Sequence, residues 1–264
     1  MLRGVVASGV PMSNSTPVRT DAAVILVAGV GSRLRPLTND RPKALMDVGG
    51  ETILGRAIRL LVGHGVQEIV LATGYREDQI RAAVRFLDAP ISYFRNDAYE
   101  STQNSVSLGL CSTALRGKSF FKLDGDVVFQ ADVLTRLTEH RADLCVAVDS
   151  KRALDAEAMK VRAEDGVISA FGKEIPVASA HAETIGIERL SSGAGERVLT
   201  RINSAVAAGS RDQYYEHFYS ELVAARAISA AAVEVGDLAW SEVDTFEDLA
   251  RARAAVALKS AGAA

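Results

Sequence analysis

The sequence predicts an α/β protein of three layers, α/β/α, on a mostly parallel sheet, with an antiparallel elaboration added later in the chain. Three observations carry this. Strand-length apolar runs alternate with amphipathic helical stretches from Ala22 to Asp149, the pattern of a parallel sheet covered on both faces. The first run ends in a glycine pair, Gly29 and Gly31, and a cationic segment follows with Arg33, Arg35, Arg41 and Lys43. After Asp149 the alternation gives way to a hairpin pattern around Glu164, Asp165 and Gly166.

The elements follow in order. Ala22 to Val27 reads as a buried strand, and Ala44 to Gly50 as a short strand and turn. A helix is expected from Thr52 to Gly63, with Ile53, Leu54, Ala57, Ile58 and Leu61 on one face. Val66 to Thr73 is a strand, Arg76 to Leu87 a helix and Ile91 to Arg95 a strand. A polar loop, Asn96 to Ser105, leads into a helix from Val106 to Leu115. Ser119 to Val128 is a strand carrying Asp124 and Asp126, which at a spacing of two point the same way. Ala131 to His140 is helical and Asp143 to Asp149 a buried strand. Residues 159–163 and 167–171 form the hairpin, and Glu183 to Glu188 another strand. Helices are expected over Ser192–Ala208 and Asp212–Leu222. A last strand ends at Asp244, where Thr245 and Asp248 make a capping box for the terminal helix.

A chain of 264 residues can bury a substantial core. We expect residues 1–20 to be a flexible tail and 21–258 to be one domain, with an acceptor-binding insertion over roughly 150–235. The net charge of −3 offers no basic face for nucleic acid. No apolar run reaches membrane-spanning length. Cys111 and Cys145 lie in apolar runs, which suits reduced core thiols in a cytoplasmic protein. Four histidines without Cys/His spacing argue against zinc.

A glycine loop after a strand exposes backbone N–H groups, and nearby cations favour an anion there. Two common phosphate loops fail. Leu34 stands where G-x-G-x-x-G needs its third glycine. Lys43 follows Pro42 and precedes Ala44, which breaks the Walker A pattern. Asp124 and Asp126 are hard oxygen ligands suited to Mg²⁺ and phosphate, although Asp124 is equally open to capping a turn or holding a water. Ser105 is explained as well by helix capping as by ligand contact.

Three segments together carry a resemblance: G-x-G-x-R at Gly29–Arg33 with P-K at Pro42–Lys43, D-G-D at Asp124–Asp126, and W-x-E-V-D-T-x-E-D-L-x-R-A from Trp240 to Ala252. The chain resembles the sugar-phosphate nucleotidylyltransferase-like nucleotidyltransferases, with their Rossmann-like fold, over nearly its whole length, from Ala22 to Ala255. Gln103, Asn104 and Ser105 stand where many sugar-1-phosphate enzymes carry a Gly-Thr-Ala-like segment. This resembles the branch that includes phosphocholine cytidylyltransferases and cytidylyltransferases acting on phosphonates.

The resemblance implies direct transfer of a nucleoside monophosphate, CMP from CTP foremost, to a small phosphate or phosphonate acceptor. Arg33 would hold the leaving phosphates, and Lys43 the α-phosphate and attacking oxygen. Asp126 and Asp244 would hold Mg²⁺. Ala28, Gly29, Gly31, Ser32, Gly74, Tyr75, Asn104, Ser105 and Asp124 would contact the nucleotide. Acceptor candidates are Lys160, Lys173, Glu183, Tyr215, Glu216, Tyr219, Trp240 and Glu242. Aromatic faces and carboxylates suit a choline or aminoethyl group. A sugar-1-phosphate nucleotidylyltransferase, an inositol-1-phosphate cytidylyltransferase and a silent nucleotide-binding subunit are the competing readings, and a homodimer is left open.

Overall fold

A computed structural model describes residues 17–262; most of the expected tail, residues 1–16, lies outside the described residues. Strand β1 (Ala22–Val27) is buried on both faces, which is why its sequence is an unbroken apolar run. Ala23, Ile25 and Val27 face one helical layer, while Ala22 and Val24 face the other. Helix α1 (Ile53–Gly63) is opened by the Thr52 hydroxyl, which accepts from the Gly55 amide. Then come β2 (Glu68–Thr73), α2 (Glu77–Val84) and β3 (Ile91–Arg95).

The middle of the chain holds α3 (Asn104–Leu110), α4 (Ser112–Leu115), β4 (Phe120–Asp124), β5 (Val127–Val128), α5 (Asp132–Glu139) and β6 (Leu144–Asp149). The later part holds β7 (Lys160–Glu164), β8 (Val167–Gly172), β9 (Ala182–Leu190), α6 (Ser192–Ala207), α7 (Tyr215–Ala224), β10 (Ala230–Glu234), β11 (Ser241–Glu242) and α8 (Phe246–Gly262).

Nine strands form one sheet in the order β3-β2-β1-β4-β9-β6-β10-β8-β7, and β11 pairs with β5 in a small second sheet. The β3-β2-β1-β4 half is parallel, β9 runs antiparallel to β4 and β6, and β10 returns parallel to β6. The fold is therefore a Rossmann-like three-layer α/β sheet. The β7–β8 hairpin extends that sheet, with β7 also pairing the start of β9. Strand order reverses after β1, whose neighbours are β2 and β4, and a crevice opens beyond the carboxyl ends of strands at such a switch point.

Three expectations need correction, and one strand is an addition to them. The short strand and turn expected over Ala44 to Gly50 is instead a 3₁₀ turn, Lys43–Leu45, entered from Pro42, with a single bridge from Asp47 to Thr52. The helix expected from Val106 starts at Asn104 and breaks at Cys111, so Ser105 is inside it and is no cap. The strand expected through Val128 is interrupted after Asp124 by a turn at Gly125 and Asp126, beyond which Val127–Val128 pair with β11 in the second sheet. Asp126 thus lies outside the strand, and it reaches Lys43 while Asp124 reaches Lys122 and Tyr215. Strand β10 was not expected, because an Ala-rich run has weak strand preference; its partners β6 and β8 impose it.

Candidate active site

The glycine loop leaves β1 and is fastened on both sides. Gly31 has φ +70°, and a Cβ there would stand 2.7 Å from Cβ of Lys43, so glycine permits both the turn and the contact. The Thr38 hydroxyl donates to the Gly31 carbonyl at 2.9 Å. The Tyr75 hydroxyl donates to the carbonyls of Thr38 and Asn39, and the Gln79 amide to that of Asp40. Below the loop, Leu34 is buried with Val48, Val128, Val243, Leu249 and Ala252. That apolar cluster ties the loop to β5 and to the start of α8, and so brings the Asp244 segment to it.

At this junction the Lys43 ammonium lies 2.6 Å from Asp126 Oδ2 and 2.7 Å from Asp244 Oδ1. Arg33 reaches the other oxygen of Asp244 at 2.7 Å. Burial alone would lower the Lys43 pKa, but the two facing carboxylates override it and raise the value. Burial likewise pushes Asp244 upward, and Lys43 beside it holds the carboxyl below its ordinary value. Glu242 is pushed up to about 8 by burial and by the negative charges of Asp126 and Asp244. Asp126, Glu242 and Asp244 each place one carboxylate oxygen within 4.8 Å of the others, and Asp126 Oδ1 is buried without a hydrogen-bond partner. An all-oxygen set with an unsatisfied carboxylate oxygen fits a hard divalent cation such as Mg²⁺.

These residues form one end of a cleft of about 760 Å³. A profile of the MobA-like NTP transferase domain matches residues 23–260. The chain belongs to that family. It is 34% identical to the CMP-5′-(3-aminopropyl)phosphonate synthase of Streptomyces rubellomurinus, over 88% of this chain and 37% of that protein. It thus spans little more than a third of that relative's length. The CTP:phosphoglutamine cytidylyltransferase of Campylobacter jejuni is 28% identical over 86% of this chain and 97% of its own. The solved inositol-1-phosphate CTP transferase of T. maritima superposes with a TM-score of 0.75 at 21% identity, over 90% of this chain and 98% of the other.

In this NTP transferase chain the cleft is lined by Ala28, Gly29, Gly31, Ser32, Arg33, Lys43, Asn104, Asp124, Asp126 and Asp244 among the sequence candidates, and also by Lys173, Glu183, Glu216 and Glu242. Gly74 and Tyr75 stand behind the loop; the Tyr75 amide donates to the carbonyl of Ala28. The Ser105 hydroxyl is turned to the Gln213 carbonyl at 2.6 Å and is closed off from the cleft. Asn104 Oδ1 accepts from the Tyr215 amide at 3.0 Å, which ties α3 to the first turn of α7.

Four acceptor candidates do not line the cleft. The Lys160 ammonium is buried and donates to the carbonyls of Asp155, Ala156 and Ala158, holding that loop. Tyr215 and Tyr219 are fully buried; the Tyr215 hydroxyl donates to Asp124 Oδ2 at 2.9 Å. Trp240 donates from Nε1 to Asp149 and carries Arg152 over its ring. Tertiary contacts claim these side chains, which charge and aromaticity alone do not reveal.

Sequence reasoning missed Lys122. It is fully buried in β4, 3.1 Å from Asp124 and 3.0 Å from Glu188. A lysine inside the apolar run Phe120–Leu123 was the available signal, since a buried ammonium needs carboxylates. It missed Arg152 too, which lines the cleft 3.5 Å from Glu183.

Proposed function

We propose that the protein transfers a nucleoside monophosphate, CMP from CTP foremost, to a small phosphate or phosphonate acceptor such as phosphocholine or 2-aminoethylphosphonate, with release of pyrophosphate. One observation carries the reading: Lys43 is bracketed by Asp126 and Asp244 at the glycine loop, with Arg33 on the second oxygen of Asp244. The cytidylyl chemistry of the Streptomyces and Campylobacter relatives and the Gln103–Ser105 segment support cytosine.

In this mechanism an anionic oxygen of the acceptor attacks the α-phosphorus. The bond from α-phosphorus to the bridging oxygen breaks, and pyrophosphate leaves with its electron pair. The nucleophile is already ionised, so no general base is required, and catalysis consists of positioning and charge stabilisation. The backbone from Ala28 to Ser32 would cradle the phosphates. Lys43 would turn from its carboxylates to the α-phosphate and the incoming oxygen, and Arg33 to the leaving phosphates. Asp126 and Asp244, with Glu242 beside them, would hold Mg²⁺, which supplies positive charge to phosphate oxygens when bound.

Pyrophosphate release, measured for four triphosphates against phosphocholine, 2-aminoethylphosphonate, inositol phosphate and hexose phosphates, tests the reading. Turnover should concentrate on CTP with an amine-bearing acceptor. Preference for UTP or dTTP with a hexose phosphate would replace the proposed substrates. CTP binding without turnover on any acceptor would leave a silent nucleotide-binding protein.

A further inference from the structure

The wall of the cleft contributed by α7 holds a carboxylate with an unmet need. Glu216 is 5% exposed, lines the cleft, and has Oε2 buried with no hydrogen-bond partner. Beside it two carboxyls, Asp124 and Glu188, already share the one buried ammonium of Lys122. Lys122 stands 3.1 Å from Asp124 and 3.0 Å from Glu188, and among the described residues no cation lies within ion-pair distance of Glu216. Burial pushes the Glu216 carboxyl up to about 7, against the pull of Lys122. Glu216 Oε2 therefore lacks a hydrogen-bond donor, and no cation pairs directly with this carboxyl among the described residues.

A quaternary ammonium supplies charge but no donor, and it is held chiefly by aromatic faces. The aromatic rings of α7 are already covered. The Lys122 ammonium sits 3.6 Å from the Tyr215 ring centre, and Tyr219 packs against Phe171 and Tyr215 at 5.7 and 5.3 Å. Tyr214 and Tyr99 line the cleft; Lys173 stands 5.4 Å from the Tyr214 ring centre, and Tyr99 packs at 6.3 Å against Tyr75. A polyol hydroxyl supplies a donor but no charge. A primary ammonium supplies both, with three N–H groups.

We infer that the acceptor carries a hydrogen-bond-donating ammonium group, as an aminoalkyl phosphonate or phosphate does, and that Glu216 is the side chain that receives it. The inference rests on the nucleotidyl-transfer reading and selects, within it, a primary amine over choline.

Calorimetry tests it without turnover. The ligands are 2-aminoethylphosphonate, its N,N,N-trimethyl analogue and ethylphosphonate, titrated into the full chain with Mg²⁺ and a non-reactive CTP analogue. The primary amine should bind about tenfold or more tighter than both others, the scale of one charge-assisted hydrogen bond. Glu216→Gln should remove that margin while leaving ethylphosphonate and the CTP analogue within about twofold. Glu216→Asp should restore part of it. A trimethyl analogue that binds as tightly as the amine overturns the inference. So does a Glu216→Gln protein that weakens ethylphosphonate equally, because that outcome marks a structural role. If Glu216→Gln fails to fold, the three-ligand series on the unaltered protein decides alone. Pyrophosphate release with hexose phosphates and no amine preference would sink this inference and keep nucleotidyl transfer. Retained amine binding with no release from any pair would do the reverse.

Discussion

Lys43 and Asp244, 201 positions apart in the chain, meet at 2.7 Å, and the same ammonium reaches Asp126 at 2.6 Å. The lysine that would bind phosphate is therefore paired with the carboxylates that would bind metal. Charge neutrality at the site is internal, and a metal-bound triphosphate has to exchange one set of partners for another.

Removing either partner should stop the chemistry and spare the fold. Lys43→Ala and Asp126→Ala are each expected to lower turnover by about two orders of magnitude or more, the scale of losing one charge that stabilises the transition state. Circular dichroism should remain that of the unaltered protein. Pyrophosphate release near the normal rate from either variant would refute the assigned roles.

The internal pairing predicts a less intuitive result. Lys43→Met removes the cation from among Asp126, Glu242 and Asp244, whose oxygens lie within 4.8 Å of each other. Without its ammonium the acidic group should bind Mn²⁺ more tightly in nucleotide-free protein, by roughly tenfold if one competing ion pair is lost. Mn²⁺ titration followed by electron paramagnetic resonance reads this directly. Weaker Mn²⁺ binding in Lys43→Met than in the unaltered protein would show that these carboxylates are not the ion's ligands.

The two loop glycines should behave differently. Gly31→Ala places a Cβ at φ +70° and 2.7 Å from Lys43, so it should cost about 1–2 kcal/mol of stability and displace the lysine. Gly29 has a negative φ and nothing within 4 Å of a built Cβ. Gly29→Ala should therefore leave the melting temperature unchanged or slightly raised, and its cost should appear as a higher KM for the triphosphate, whose phosphates need that space. Equal destabilisation by the two substitutions would contradict this division.

Stability should fall as pH rises from about 5 to 8. Burial pushes Glu188 up to about 8 and Glu216 up to about 7 from an ordinary 4.5. Between those limits the folded protein holds protons that the unfolded chain has released, so each pH unit favours unfolding. The loss is complete above the folded values and absent below 4.5. His64, whose pKa burial lowers, opposes the trend as a single group. Thermal melts of metal-free protein should show it, since roughly 2–4 °C corresponds to each kcal/mol in a chain of this size class. Glu216→Gln should flatten the slope. A midpoint that climbs across this range would exclude the raised values.

The sequence by itself determined the layer plan. Apolar runs separated by amphipathic stretches leave few ways to bury both faces of a strand such as Ala22–Val27, and the glycine pair marks where that strand must end. Local chemistry was equally legible at Thr245 with Asp248, because caps depend on residues three apart; the Asp248 amide and carboxylate bond Thr245 as expected. The tertiary structure decided what no local pattern encodes. It made Ala230–Glu234 a strand by enclosing it between β6 and β8, and placed Asp126 in a turn where it pairs with Lys43 while Asp124 pairs with Lys122. It also buried Lys160, Tyr215 and Tyr219 in structural bonds and packing while leaving Glu216 on the cleft wall. Periodicity is carried by neighbours along the chain, so it can be read in one dimension. Which polar groups find partners depends on segments as far apart as Lys43 and Asp244, and only folding sets those distances.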